Sequence, residues 1–288
     1  KRQDYLGKIS SKFSKSSKSS LEDKKVSICT AGRIVLKRVM GNAAFMTLED
    51  SSGRLQIFLS RNKLNEKLDE AKDLDLGDII GVKGILFRTN TDELTVDLDS
   101  FELLTKSLKP MPEKHKGLTD IETIYRKRYL DLMSNPESRE VFIKRNKIIK
   151  SLRANLESNG FLEVETPMMH PIPGGANARP FETHHNALDK KLYLRVAPEL
   201  YLKRLLVGGY EKVFEINRNF RNEGISTIHN PEFTMLEFYE AYGDLQRTAK
   251  FIQKLIQDSI LAVNDSLKIT YDQKNINFEK DFEIRSLK

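Results

Sequence analysis

The sequence contains one cysteine, Cys29, and no apolar run close to the roughly 20 residues that span a bilayer. A single thiol forms neither an internal disulfide nor a zinc cluster, and the missing apolar span excludes the integral membrane classes. The first residues also lack the compact apolar core of a signal peptide. With 39% hydrophobic and 31% charged residues, the chain can still bury a sizeable core. We therefore expect a cytosolic globular protein.

Acidic residues are scarce at the start of the chain. The formal net charge is +7, and residues 1–25 hold eight Lys or Arg against three Asp or Glu, which places +5 there and leaves +2 for the rest. The tract KISSKFSKSSKSS within this segment has few apolar residues, so we predict that 1–25 is a flexible basic segment. Its function is either to touch nucleic-acid phosphates or to act as a solvated tail. The commonness of charge runs favours the tail.

Residues 26–105 consist of short β-rich runs separated by turn signals. Helical spacing at Leu64, Leu68 and Ala71 lies between the third and fourth runs, which is the element order of a five-stranded OB barrel. Such barrels bind oligonucleotides by stacking bases on exposed aromatic rings, and Phe45 beside Gln56 could supply a ring and a hydrogen-bonding group. A core position for Phe45 fits the spacing equally well. The predicted strands are 26–38, 43–49, 54–59, 78–88 and 93–103.

A proline-containing basic stretch then predicts an interdomain linker over 106–135, followed by a second domain over 136–288. Pro136 stands at the first position of a helical pattern that Gly160 ends, so we predict a long amphipathic helix over Pro136–Ser158. Residues 161–166 alternate as a strand that stops at Pro167.

Residues 211–242 alternate in a way that separates two faces. Before the loop that holds Gly224, most odd-numbered positions are polar, and after it they combine aromatic rings with a carboxylate. An exposed sheet face is the simple alternative, but such faces favour Lys, Thr and Ser. A mixture of Arg, amides, carboxylates and rings suits a ligand with phosphate, purine and ammonium groups. Two antiparallel strands would present Asn217, Asn219, Arg221, Glu223, Phe233, Glu237 and Tyr239 on one platform.

The same segment carries a family resemblance. FRNEGISTIHNPEF at 220–233 resembles motif 2 of class II aminoacyl-tRNA synthetases, and GFLEVETP at 160–167 resembles their motif 1. PGGANARPFETHHNALD at 173–189 and LRVAPELYLKR at 194–204 are similar to lysyl-tRNA synthetases in particular. The resemblance extends from about Val26 to the C-terminus. It implies an α+β chain: an OB barrel, then a class II catalytic domain with an antiparallel sheet and flanking helices.

The resemblance implies a lysine-tRNA ligase that uses ATP to form lysyl-adenylate and then transfers the lysyl group to tRNA(Lys). Catalysis in this family depends on positioning and charge stabilisation without a covalent protein nucleophile. The family's ATP-binding positions match Arg221, Glu223, His229, Asn230 and Phe233 here. Arg221 would neutralise the transition state at the α-phosphate, and Phe233 would stack on adenine.

The lysine-binding positions of the family match four residues. Gly175 and Glu199 correspond to positions near the α-amino group, and Glu237 and Tyr239 to positions near the side-chain ammonium. A buried ammonium needs a carboxylate partner, which makes Glu237 a reasonable specificity residue. If Glu237 were only an exposed strand carboxylate, Tyr239 on the same face would have no explanation.

The family's anticodon-reading positions match Phe45, Gln56 and Glu93, which would stack on the central uridine and hydrogen-bond to it. Arg33 would contact a phosphate. The resemblance also implies Mg²⁺ held mainly by the ATP phosphates and a homodimer formed through the motif 1 helix. We predict no protein-built metal site.

The sequence after Tyr242 departs from the family. It lacks the glycine-rich strand and closing arginine of motif 3, and the chain starts at Lys1, so we expect a fragment of a longer synthetase. Either the complete protein has lysine-tRNA ligase activity, or these residues form a tRNA-binding fragment that is catalytically incomplete. A lysine-transferring paralogue that modifies a translation factor is disfavoured, because such enzymes lack the OB domain.

Overall fold

The computed structural model of the protein describes residues 2–111, 118–226 and 228–285. Within it the chain forms two compact units, Lys1–Pro136 and Glu137–Lys288. No helix in the described part of the chain is both long enough and apolar enough to span a membrane.

The first unit is built on a closed five-stranded barrel with the order β1-β2-β3-β5-β4, which confirms the predicted OB architecture. Side chains alternate along each strand because successive residues point to opposite faces. On β2, Ala44, Met46 and Leu48 are buried in the barrel, and Phe45 and Thr47 point outward. The strands are β1 Ser27–Met40, β2 Ala43–Asp50, β3 Gly53–Ser60, β4 Ile79–Arg88 and β5 Leu94–Thr105.

The basic N-terminal segment is ordered, so the prediction that residues 1–25 are flexible was wrong. It forms two helices, α1 Leu6–Phe13 and α2 Lys18–Lys24. Leu6, Ile9 and Leu21 are almost completely buried in the barrel core. Few apolar residues suffice here because the barrel supplies the partner surface, which composition alone does not reveal.

Two short helices replace the single helix predicted between β3 and β4. They are α3 Arg61–Leu64 and α4 Lys67–Lys72. Asn65 between them has a positive φ of 50°, which the interior of a right-handed helix does not tolerate. Leu68 and Ala71 are nevertheless buried, as their spacing predicted.

The segment predicted as a linker contains helices α5 Ile121–Arg126 and α6 Arg128–Ser134. Residues 112–117 of that predicted linker lie outside the described residues. The helix that follows, α7 Pro136–Ser158, has the predicted bounds.

The second unit contains a sheet with the order β11-β10-β6, in which β10 and β11 are antiparallel and β6 is parallel to β10. The sheet is therefore mixed, and the strand predicted over 161–166 is only the two-residue β6. A second sheet has the order β7-β9-β8, and a hairpin joins β12 to β13. The elements are β6 Leu162–Glu163, β7 Met169–His170, β8 Glu182–His185, β9 Lys190–Leu194, α8 Glu199–Val207, β10 Lys212–Phe220, β11 Glu232–Glu240, α9 Leu245–Leu261, β12 Lys268–Tyr271 and β13 Lys274–Asn277.

One face of β10 and β11 packs against helices. Phe214 is completely buried with Leu156 of α7 and Leu255 of α9. Phe161 stacks on Phe251 with ring centroids 5.5 Å apart. These even-numbered strand positions and the two helices form the core of the second unit, so the odd-numbered positions face the other way.

Candidate functional site

The pairing of β10 with β11 brings the predicted platform residues of these two strands onto one face, and Arg221 and Glu223 follow the end of β10. Glu215 lies opposite Glu237, Asn219 opposite Phe233, and Val213 opposite Tyr239. Opposite residues in an antiparallel pair share a face, so the odd-numbered polar and aromatic side chains form one surface. The predicted hairpin is confirmed.

Three carboxylates lie on or near this surface, and they differ in their partners. Glu199 accepts a hydrogen bond from Lys203 Nζ at 2.6 Å. Glu215 forms an ion pair with Arg195 Nη1 at 2.7 Å. Among the described residues, Glu237 accepts one hydrogen bond, from the Tyr239 hydroxyl at 3.1 Å. Glu237 is thus the carboxylate of the three that has no cationic partner within the described chain.

The electrostatic setting of Glu237 favours a cationic ligand. Burial raises the pKa of its carboxyl; the hydrogen bond from Tyr239 opposes that rise, and the charge of Glu199 adds to it. Burial, helped by the charge of Glu237, also raises the pKa of the Tyr239 hydroxyl, so Tyr239 stays neutral and donates. An ammonium group would supply the missing positive charge.

Beneath this surface lies a buried polar network around Arg195. The Arg195 side chain has no exposed area, and Glu215 is 1% exposed. Thr166 Oγ1 donates to Glu215 Oε2 at 2.6 Å, and Arg195 Nη1 donates to the Thr166 hydroxyl oxygen at 3.0 Å. Arg195 Nε donates to the carbonyl of Arg218 at 3.0 Å. The network fixes the end of β9 against β10, which carries the platform.

Gly175 reaches this site through a backbone conformation that glycine favours, with φ at +90°. A Cβ at this position would lie 3.2 Å from the Cβ atoms of both Ala197 and Glu199. The loop therefore comes close to the start of α8 because residue 175 has no side chain. This brings two of the predicted lysine-binding positions, Gly175 and Glu199, next to each other.

The other end of the platform holds the predicted ATP-binding residues. The Arg221 guanidinium lies over the Phe233 ring, 5.2 Å from its centroid. Arg221 Nε is buried without a hydrogen-bond partner in the structure, and a buried donor of this kind suits an anionic ligand.

The loop between β10 and β11 carries the remaining ATP candidates. Glu223 Oε1 accepts from the backbone N–H of Arg179 at 3.2 Å, which ties the loop to the segment after Gly175. His229 Nδ1 lies 2.8 Å from Ser226 Oγ, and both His229 and Asn230 are exposed.

In the barrel unit, Phe45, Gln56 and Glu93 line one cavity of about 350 Å³. The Phe45 ring is half-buried on the outer face and packs on Phe58 with centroids 4.7 Å apart. The alternative of a core position for Phe45 is therefore wrong. Gln56 Nε2 donates to Thr95 Oγ1 at 2.9 Å. Arg33 does not line this cavity, and its Nη1 donates to the carbonyl of Gly77 at 2.7 Å.

The described residues contain no group of three or more His, Cys, Asp or Glu that could hold a metal ion.

Each of the two units matches a known protein family. Residues 28–104 match the family described as OB-fold nucleic acid binding domain. Residues 120–287 match the family described as tRNA synthetases class II (D, K and N), which is more than half of the chain. The chain belongs to the class II tRNA synthetases.

Similar class II synthetases include three curated bacterial proteins, all named lysine--tRNA ligase. The protein of Legionella pneumophila (strain Lens) is 56% identical over 96% of this chain and 56% of its own length. That of Chromobacterium violaceum is 57% identical over 91% of this chain and 53% of its own length. That of Neisseria meningitidis serogroup B is 52% identical over 98% of this chain and 56% of its own length. The chain thus spans about half the length of the curated relatives it matches.

Several candidate functional residues of this class II synthetase chain were missed at the sequence level. Arg195 and Thr166 lie far from Glu215 in sequence, and only the fold brings them together. Lys203 was detectable, since it follows Glu199 at helical i, i+4 spacing. Arg38 lies opposite Phe45 on β1 and lines the same cavity, and its pairing could have been read from the hairpin turn at 41–42.

Proposed function

We propose that the chain is the anticodon-binding domain and part of the catalytic domain of a lysine-tRNA ligase. In the first step, a lysine carboxylate oxygen attacks the α-phosphorus of ATP, and the bond to the β-phosphate bridging oxygen breaks, releasing pyrophosphate. In the second, a terminal ribose hydroxyl of tRNA(Lys) attacks the lysyl carbonyl carbon, and AMP leaves. The supporting comparison is the 52–57% identity to proteins named lysine--tRNA ligase.

The observation that supports specificity for lysine is that the Glu237 carboxylate has no ion-pair partner among the described residues. Glu199 and Glu215 each have a basic partner, and Glu237 has only the Tyr239 hydroxyl. A lysine side chain would place its ammonium against this carboxylate, and a shorter or neutral side chain would leave the carboxylate uncompensated. The α-amino group would lie by Gly175 and Glu199, since these adjoin each other and are near enough for Glu199 to influence Glu237.

ATP would bind at the Arg221 end of the platform. The buried, unpartnered Nε of Arg221 supports a role for its guanidinium at the α-phosphate, where charge develops in the transition state. Phe233 would stack on adenine, with Glu223, His229 and Asn230 in the loop around the nucleotide. Mg²⁺ would enter with ATP as part of the substrate, held mainly by phosphate oxygens.

The barrel cavity would receive the central base of the anticodon. Phe45 offers a half-buried ring, and Gln56 and Glu93 offer hydrogen-bonding groups around the same space. Arg33 would contact phosphate outside that space, since its guanidinium is committed in part to Gly77.

The proposal includes a homodimer formed through α7 and a cytoplasmic location, where tRNA is charged. All side chains over 141–147 of α7 are exposed, and they include Val141 and Ile143. Farther along the helix, Leu152 and Leu156 pack on the sheet. The exposure of Val141 and Ile143 in the described structure supports a subunit contact at this part of the helix.

A second candidate function is tRNA binding without catalysis by these residues. The closed barrel and the match over 28–104 favour it, since anticodon recognition needs only the first unit. The two candidates differ in whether these residues alone activate lysine.

Lysine-dependent exchange of pyrophosphate into ATP tests the proposal, measured on this chain and on the chain extended with the remaining length of its relatives. We expect exchange with lysine by the extended protein and none with aspartate or asparagine. Exchange driven equally by aspartate would overturn the proposed substrate. Exchange by the 288-residue chain alone would reject the second candidate.

A further inference from the structure

One arginine adds polar contacts between the N-terminal basic segment and the barrel, beside the apolar burial of Leu6, Ile9 and Leu21. Arg88, at the end of β4, is 9% exposed. Its guanidinium donates to the carbonyls of Ser14 and Ser16, both at 2.7 Å, in the turn between α1 and α2. It also donates to the carbonyl of Asp92 at 2.6 Å. One buried side chain thus joins the α1–α2 turn to the β4–β5 loop.

Three lysines surround the turn that Arg88 holds. Lys12, Lys15 and Lys18 are exposed, and none of them pairs with a carboxylate among the described residues. Lys18 Nζ approaches Asn90 Oδ1, in the β4–β5 loop, to 3.4 Å. No acidic residue interrupts the sequence from 12 to 18. We call these three residues the lysine rim.

The β4–β5 loop connects the lysine rim to the base cavity. Thr89, Thr91 and Glu93 of this loop line the same cavity as Phe45 and Gln56. The loop therefore contacts both Arg88 and Lys18 and also lines the cavity. A nucleotide chain whose base entered the cavity would pass close to the α1–α2 turn.

The cavity itself offers few cations for the phosphates of such a chain. Of its two basic lining residues, Lys37 is committed, because its Nζ donates to the backbone carbonyls of Lys72 and Leu74. Arg38 remains, and Glu93 adds a negative charge. RNA binding draws much of its free energy from phosphate contacts with Lys and Arg, so those contacts must come from beside the cavity.

We propose that the lysine rim binds the backbone phosphates of the RNA whose base occupies the barrel cavity. This inference rests on the proposed anticodon-binding function and extends it to a segment outside the barrel strands. Because Arg88 bonds the carbonyls of the turn, the backbone that carries the three lysines is preorganised for binding. The lysine rim would contact phosphates, so these contacts would add affinity without distinguishing one RNA base from another.

Binding of short RNA hairpins to the 288-residue chain, followed by fluorescence anisotropy at several salt concentrations, tests the proposal. One hairpin carries uridine at the middle position of the loop, and the other carries cytidine. In the triple variant Lys12→Gln, Lys15→Gln, Lys18→Gln, we expect about tenfold weaker binding of both hairpins and a salt slope reduced by about 2. The replaced side chains are exposed, so unfolding curves should match the wild type.

The matched control is Lys8→Gln, Lys24→Gln, Lys25→Gln, which removes the same charge from the same segment away from the turn. We expect less than about twofold weakening, since these lysines lie outside the rim. Equal losses in the two triple variants, or an unchanged salt slope in the rim variant, would overturn the proposal.

Phe45→Leu separates this proposal from the one on which it rests. It should reduce the preference for uridine and leave the salt slope unchanged. If the wild-type chain bound the two hairpins equally, that result would count against anticodon reading by the cavity. The two triple variants would still decide whether the lysine rim binds phosphates.

Discussion

At the scale of single residues, the distribution of charge over three carboxylates indicates which of them would receive the side-chain ammonium of the ligand. Glu215 is neutralised by a buried arginine and Glu199 by a lysine one turn away. Buried carboxylates without such partners are costly, and a protein keeps one where a ligand completes the pair. In the proposed function, Glu237 would therefore carry the specificity for an ammonium group, and the ion pair with Arg195 would keep Glu215 from competing for that group.

Glu237→Gln in the extended protein should raise KM for lysine by about 30- to 1,000-fold, which corresponds to on the order of 2–4 kcal/mol. The KM for ATP should change less than about twofold, because the proposed ATP site lies at the other end of the platform. The glutamine side chain keeps an oxygen that accepts the hydrogen bond from the Tyr239 hydroxyl. The change therefore removes the negative charge and keeps the size and this hydrogen bond. Steady-state pyrophosphate exchange, with each substrate varied in turn, measures both constants.

Glu232→Gln is the matched control for that change. Glu232 lies on the same strand, is 54% exposed, and contacts Arg218 at 3.6 Å on the opposite face. Both KM values should stay near those of the wild type. Equal losses for lysine and ATP in Glu237→Gln would contradict its assignment to the ammonium.

The raised pKa of Glu237 gives a pH dependence of stability with a definite sign. The folded state holds this proton more tightly than the unfolded state, whose carboxyl has its ordinary pKa near 4.5. Stability contributed by the protonated form is thus present below 4.5 and is lost as pH rises through the raised value. Unfolding of the wild type and of Glu237→Gln, measured by urea titration from pH 4 to 8, should show the variant gaining relative stability as pH rises. A constant difference would reject the raised pKa.

At the scale of elements, the polar contacts of Arg88 add to the apolar burial that attaches α1 and α2 to the barrel. Arg88→Met should lower the free energy of unfolding by about 2–4 kcal/mol, because four carbonyls lose a charged donor. Hydrogen exchange should quicken at the amides of α1 and α2, with little change in β2 and β3. Arg126→Met is the control, since Arg126 and its partner Glu122 are both exposed, at 78% and 73%, and such surface pairs are worth about 0–1 kcal/mol. Unchanged exchange in Arg88→Met would show that apolar burial alone holds the helices.

The elements also show what local pattern predicts and what it does not. The barrel strands and α7 follow from alternation and from the Pro136 and Gly160 signals, because these depend on neighbours in sequence. Helix α1 was missed because Leu6 and Ile9 stand in a Ser/Lys tract, and only the barrel gives them a partner. The platform was predictable from alternation on two strands, whereas the Arg195 network joins residues 166, 195 and 215, whose proximity requires the folded sheet.

At the scale of the whole molecule, the positive net charge is distributed unevenly between the two units. Most of the +7 lies in the first 25 residues, and part of that is concentrated in the ordered lysine rim beside the cavity. In the proposed function, the second unit would bind its substrates through a few placed charges, so its near neutrality is compatible with ATP and tRNA as substrates. A general attraction for polyanions would therefore come from the first unit.

The assembly state is the last property to be tested at this scale. Val141 and Ile143 of α7 are 62% and 56% exposed, and burying such side chains against a second copy contributes roughly 25 cal/mol per Å². The double variant Val141→Lys, Ile143→Lys in the extended protein should halve the mass found by light scattering. Glu157→Lys, exposed near the other end of the same helix, should leave the mass unchanged. A wild-type protein with monomeric mass, or a double variant that stays dimeric, would show that this half of α7 is not the subunit contact.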